Sequence, residues 1–235
     1  MMMSWTVPIL TYHRVGEPRD DHVPTVTPET FERHLRFLQR HRFRVLELGE
    51  LTEALAQGRA VGRRTTVMTF DDGYEETFSI VAPLLRKFGF RATVFVAPTE
   101  IGSPGFMTWE QVSAVAQDGL QIGSHTMHHT CLPLVPPEQA VEELSESKRV
   151  LEQRLGQPVL WLSYPIGGFT PQIQEVARQV GYRACCTTNR GTSKTTRDLF
   201  ALRRIKMTER DRHPLLLWAK LSGYYDLFRR LEQPA

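Results

Sequence analysis

Cysteine is scarce: only Cys131, Cys185 and Cys186 occur in 235 residues. An odd count with two of the three adjacent excludes a disulfide framework as the scaffold. Adjacent strand residues point to opposite faces, so at least one of Cys185 and Cys186 is expected in buried packing, and none of the three is read as a metal ligand. Long apolar runs are absent as well, and none approaches the ~20 residues that a membrane span needs. The opening Met1-Met2-Met3-Ser4-Trp5-Thr6-Val7-Pro8 has neither a basic stretch nor a sustained apolar one. No secretory signal is read there, and a cytoplasmic location is the default expectation. Charge of one sign is concentrated nowhere. The net charge is +3, the pI is about 8.9 and the arginines are scattered over several helical stretches, which argues against a nucleic-acid footprint. Repeats, low-complexity tracts and linkers are missing too. The chain reads as one domain over 1–235, closing with a helix from about residue 213.

What is present is a hydrophobic fraction of 41%, enough for a sizeable core. Apolar runs with β-branched character occur at 7–12, 65–70, 92–96, 120–123, 159–163, 183–187 and 200–205, with helical patterns between most of them. The first helix is predicted to start at Thr27. There Thr-Pro-Glu supplies an N-cap, a proline at the first helical position and an early acid, and Phe31, Leu35 and Leu38 share one face. Further helices read at about 75–88, at 108–118 with Thr108 and Gln111 as a capping box, at 137–155 and at 171–180. Gly89, Gly119, Gly156 and Gly181 follow these four as stops. The alternation predicts a largely parallel sheet, as a barrel of seven or eight strands or as an open doubly wound sheet. Residues able to do chemistry follow several of the strands, and converging strand ends are what the mouth of a barrel provides.

Those residues are Asp71 and Asp72 at the end of one strand and His125, His128 and His129 after another. Adjacent carboxylates at a strand end diverge, so one can bind a metal while its neighbour accepts a proton. Alone, Asp-Gly is a turn signal, and three histidines within five residues are often loop decoration. Together, two imidazoles and one carboxylate make an open three-ligand site for one divalent ion, zinc first, with cobalt or nickel as alternatives.

Thr69-Phe70-Asp71-Asp72-Gly73, Ser124-His125-Thr126-x-x-His129 and Tyr164-Pro165-x-Gly167 resemble, in order and spacing, the successive motifs of the polysaccharide deacetylase family, carbohydrate esterase family four. The resemblance runs from Pro8 through Tyr12-His13-Arg14 to about Ile205. It implies a deformed (β/α) barrel of about seven parallel strands that removes acetyl groups from sugars with one divalent metal. Carried over by motif, Asp71 is the general base, Asp72, His125 and His129 hold the metal, and the Tyr164 backbone N–H helps to hold the oxyanion. Two departures stand out. The late Leu-His motif that supplies the acid in many members has no match in Ala201-Leu202-Arg203-Arg204-Ile205, which leaves His13, His128 and His213 as candidates, His13 first. The arginine that orients the base is absent upstream of Tyr164, so Arg203 or Arg204 is the substitute, against the ordinary expectation that a strand-end arginine is solvated. Trp109 and Phe106 could stack on sugar rings, with core packing the stronger reading for Trp109. Trp161 reads as core, and Trp218 as the buried face of the last helix.

The leading expectation is therefore a carbohydrate deacetylase acting on acetylated oligo- or polysaccharide. The alternatives are an amidase for small non-peptide amides, or a non-catalytic carbohydrate-binding protein on the same fold. The sequence does not specify an oligomeric state.

Overall fold

The structure is a computed structural model and describes residues 7–18, 23–188 and 198–225. In chain order the strands are Ile9–Tyr12 (β1), Arg14–Val15 (β2), Thr25–Val26 (β3), Arg44–Leu46 (β4), Thr65–Phe70 (β5), Thr93–Val96 (β6), Gln121–Ser124 (β7), Trp161–Ser163 (β8), Ala184–Thr187 (β9), Leu202–Arg203 (β10) and Ile205–Lys206 (β11). The helices are Pro28–Arg40 (α1), Leu48–Ala56 (α2), Ala82–Phe88 (α3), Trp109–Gln117 (α4), Pro137–Leu155 (α5), Pro171–Val180 (α6) and Pro214–Leu221 (α7).

The main sheet runs β10-β9-β8-β7-β6-β5-β1-β11, with every pairing parallel. Its two ends belong to one segment. Leu202 and Arg203 pair with Cys186 and Thr187 on β9, whereas Ile205 and Lys206 pair with Leu10 and Thr11 on β1. A single stretch interrupted at Arg204 thus brings the sheet round into a barrel, with helices outside. Counted this way the ring has seven strands, at the seven runs expected from sequence. β4 was not anticipated. It pairs with the first half of β5, on the edge that β6 takes over further along. β2 and β3 form a separate parallel pair.

Strand alternation sorts the side chains into two cores. Leu10, Met68, Phe70, Val94, Ile122, Leu162 and Cys185 face outward into a cluster with Phe31, Leu35 and Leu38 of α1, Val112 and Val115 of α4, and Leu144 and Leu151 of α5. Ile9, Val67, Phe95, Ala184, Cys186 and Leu202 face inward and pack with Leu48 and Leu51 of α2, which plugs the lower end of the barrel. Cys185 and Cys186 therefore do point to opposite faces, both buried and both unpaired by any disulfide.

The expected helix signals are in place. Thr27 accepts from the Thr30 N–H, and Thr108 with Gln111 forms the capping box. Gly89, Gly156 and Gly181 adopt left-handed C-caps, and Gly119, also left-handed, lies one residue past the C-cap Asp118. The stretch 75–88 is not one regular helix: a π-helical turn, Thr77–Val81, precedes α3. Pro83, lacking an N–H, stands at that junction. α7 corrects another expectation. It buries Leu217, Lys220 and Leu221, while Leu215, Leu216 and Trp218 are exposed. Lys220 turns inward because the Asp211 carboxylate and the Lys206 carbonyl, both at 2.7 Å, accept its ammonium. Among the described residues no helix is long and apolar enough to cross a membrane.

Candidate active site

The polar end of the barrel interior begins with β5. Thr69 points in, Phe70 out and Asp71 in again, and the Asp71 N–H still bonds the Tyr12 carbonyl at 3.0 Å, so this carboxylate is fixed by the sheet itself. The chain then turns sharply through Asp72 (φ 72°) and Gly73 (φ 80°). A Cβ at Gly73 would stand 2.8 Å from Val96 Cγ1, so only glycine fits. This turn separates the two carboxylates: Asp71 stays inside and Asp72 swings to the rim.

Asp71 meets Arg204, the residue at the break between β10 and β11. The guanidinium is fully buried and forks onto both carboxylate oxygens at 2.6 Å, and it also donates to Thr69 Oγ1 (3.1 Å) and Ser163 Oγ (2.7 Å). Burial alone would raise the Asp71 pKa; the guanidinium overrides it and holds the carboxyl below its usual range. Arg204, not Arg203, is thus the partner of the expected base, and it is buried rather than solvated. A bidentate arginine uses two of the roughly four acceptor sites of a carboxylate, which leaves capacity for a further proton donor.

Asp72 faces two imidazoles. Its Oδ1 lies 3.4 Å from His125 Nε2 and 3.3 Å from His129 Nε2. Neither contact has hydrogen-bond geometry, so this buried oxygen has no hydrogen-bond partner. Burial would raise the Asp72 pKa, but attraction to the two rings holds it far below the carboxylate range. His125 follows β7, and its Nδ1 donates to the Ser163 carbonyl at 2.7 Å, which orients the ring with Nε2 toward Asp72. His129 is held by a left-handed backbone (φ 54°) with its ring edge-on to His125 at 4.8 Å. One ligand atom from each of the three residues falls within 4.8 Å of the other two. Two imidazole nitrogens and a carboxylate oxygen without a hydrogen-bond partner, within 4.8 Å of one another, fit a divalent cation of the zinc, cobalt or nickel type.

The remaining predicted residues divide. His13 follows β1 and lies within electrostatic reach of Asp71, Asp72, Arg204 and His125; its Nδ1 is buried without a hydrogen-bond partner, and burial pushes the ring below its ordinary pKa against the pull of the two aspartates. His128 points instead to Glu143, with Nδ1 2.8 Å from the carboxylate. His213 caps α7 and is exposed. The Tyr164 N–H, expected to hold an oxyanion, donates to the Cys186 carbonyl at 3.0 Å as part of the sheet. Two residues on, Ile166 has a left-handed backbone (φ 58°) and 77% exposure, and the turn's internal hydrogen bonds are donated by Gly167 and Gly168, not by its N–H. Phe106 stacks on Tyr74 at 5.0 Å, Trp109 packs partly buried under Arg154, and Trp161 packs against the inner core. Thr69, the first residue of its motif, and Ser163 both accept from Arg204, a role that neither was assigned from sequence; for Ser163 the signal is only the inward phase of its strand.

The sequence profile of the family described as polysaccharide deacetylase matches residues 58–185. YxkH of Bacillus subtilis (strain 168), which carries a provisional polysaccharide deacetylase name, is 30% identical over 202 residues, covering 86% of this chain and 71% of that protein. The poly-beta-1,6-N-acetyl-D-glucosamine N-deacetylase of Escherichia coli (strain K12) is 25% identical over 134 residues, half of this chain but 20% of that enzyme. In fold, the chain superposes on the Streptococcus pyogenes deacetylase PplD with a TM-score of 0.81, covering 97% of this chain and 98% of the other at 24% identity. With the profile spanning more than half of its length and a relative matched along most of it, this chain belongs to the polysaccharide deacetylase family.

Proposed function

We propose that the chain is a metal-dependent hydrolase that removes acetyl groups from N-acetylated oligo- or polysaccharide. The observation that carries the metal dependence is the orphaned Asp72 Oδ1 between His125 Nε2 and His129 Nε2. The substrate class is supported by relatives named for N-acetylglucosamine in a polysaccharide and in peptidoglycan. When bound, the metal, zinc by preference, would supply Lewis acidity toward the acetyl carbonyl and the attacking water.

This chain's own residues supply the rest. Asp71, held ionised and oriented by Arg204, takes the proton from the attacking water. The oxyanion donor expected at Tyr164 is reassigned to the Ile166 N–H, since the Tyr164 N–H is spent on Cys186. His13 is the candidate for returning a proton to the leaving amine. The proton it would deliver is the one that Asp71 removes from the attacking water, passed on to His13, which lies within electrostatic reach of Asp71.

The test is acetate release from N-acetylated glucosamine oligomers by zinc-loaded protein. Turnover is expected in the native chain, with a loss of ~10²–10⁴-fold in Asp71→Asn. A native rate no greater than that of Asp71→Asn on any N-acetylated glycan would refute the proposal.

A further inference from the structure

Glu143 is an anomaly of helix α5: it sits in Glu142-Glu143, on a helix with many exposed charges, yet it is only 3% exposed. A carboxylate buried to that degree is unfavourable unless its oxygens are satisfied. Here every donor it meets comes from the loop between His125 and His129 or from the residue just after it. One oxygen accepts from the Met127 and His128 backbone N–H groups, both at 2.9 Å. The other lies 2.8 Å from His128 Nδ1, and the nearby Thr130 side chain also favours its charged form.

The loop needs such a grip. Thr126 (φ 63°) and His129 (φ 54°) both hold left-handed conformations that non-glycine residues avoid. A second anchor comes from the same helix. Ser147 Oγ pairs with Ser124 Oγ at 2.6 Å, and Ser124 Oγ accepts the Thr126 N–H at 3.2 Å. The Thr130 N–H then closes the loop on Thr126 Oγ1 at 2.9 Å. α5 itself is secured by Leu144 and Leu151 in the outer core and by the Tyr182 hydroxyl, which donates to the Leu144 carbonyl.

We propose that Glu143 is a positioning residue for the metal: by gripping Met127 and His128 from α5 it holds His129 opposite Asp72 and His125 before any ion arrives, and so sets metal affinity. The proposal rests on the reading of Asp72, His125 and His129 as metal ligands. Because two of its contacts are backbone N–H groups, the grip depends on the carboxylate more than on the His128 ring, which is 62% exposed at its side chain.

The test is calorimetric zinc titration, together with the visible spectrum of the cobalt-substituted protein, on the native chain, Glu143→Gln and His128→Ala. Glu143→Gln is expected to weaken zinc binding by ~10–100-fold, as loss of a group that orients metal ligands does, and to shift the cobalt bands. His128→Ala, which keeps both backbone bonds, is expected to weaken binding far less. Native affinity and an unchanged cobalt spectrum in Glu143→Gln would overturn the proposal, whereas a native chain that binds no zinc would instead remove the ligand reading beneath it. Hydrogen exchange on the native chain decides the matter if the variant does not fold. Met127 and His128 amides protected equally before and after zinc addition support the grip, and amides protected only after zinc contradict it.

Discussion

Asp71 and Asp72 are adjacent in the chain, yet the barrel interior and its rim treat them in opposite ways. Inside, Asp71 is locked by sheet hydrogen bonding and matched by a buried arginine that also ties Thr69 and Ser163 together. At the rim, Asp72 pairs with no Lys or Arg among the described residues; it meets two imidazole nitrogens at 3.3–3.4 Å and the Tyr74 hydroxyl, on a backbone with left-handed residues at Asp72, Thr126 and His129. A neutralised carboxylate has little affinity left for a metal but can be kept ionised to accept a proton. A carboxylate oxygen left without a hydrogen-bond partner between two imidazoles is free to take a cation. The proposed division of labour between base and ligand follows from what closes the barrel, because Arg204 sits at the interruption between β10 and β11.

The comparison breaks hardest at Arg204. Arg204→Met leaves Asp71 buried without its cation, and a loss of ~3–5 kcal/mol in unfolding free energy is expected by urea denaturation. A loss below ~1 kcal/mol would mean that the interior is wet enough to solvate a lone carboxylate. Arg204→Lys should fall between the two, since an ammonium cannot fork onto both oxygens.

A second, smaller effect sharpens the contrast between interior pairing and burial without a counter-charge. His34 on α1 is buried between the Tyr12 hydroxyl (3.1 Å) and the Asp211 carbonyl (3.0 Å), and burial lowers its pKa from 6.5. The unfolded chain then binds more protons than the folded one just below pH 6.5, so this contribution is complete above that pH and is lost as pH falls toward the folded value. Metal-free protein should lose stability on acidification from pH 7 through this window, with a shallower slope in His34→Gln. His13 shares the direction of shift, so the slope is reduced without vanishing. An unchanged slope in His34→Gln would show that His34 does not titrate with folding.

The smallest effect belongs to the rim. Ile166→Gly relieves a left-handed isoleucine, and a gain of about 1 kcal/mol or less is expected in thermal unfolding. A clear loss would mean that the exposed side chain makes contacts that outweigh the strain.

Much of this was legible in the residues, for identifiable reasons. Strands buried on both faces write themselves as apolar runs, which is why all seven ring positions could be read from 7–12 to 200–205. The grouping of Asp72, His125 and His129 was legible because the ligation proposed for them restricts residue type and spacing, and one ligand atom of each lies within 4.8 Å of the other two. β4 and α2 escaped because Arg44-Val45-Leu46 is short and half exposed, and α2 plugs the barrel end instead of covering a sheet face. Trp218 misled because Leu215-Leu216-Leu217-Trp218 is apolar all round, and the face was decided by Lys220 finding Asp211. The Tyr164 amide and Arg204 illustrate one limit from two sides: a backbone donor's partner and an arginine's burial depend on strands distant in sequence, β9 in the first case and β5 in the second.

Zinc titration of Asp71→Asn beside Asp72→Asn tests the division of labour most directly. The structure predicts that Asp71→Asn binds zinc close to the native affinity while Asp72→Asn weakens it by more than ~100-fold, beyond the usual effect of losing a supporting group. Loss of zinc from Asp71→Asn, or native affinity in Asp72→Asn, would contradict the assignment of one carboxylate to the proton and the other to the metal.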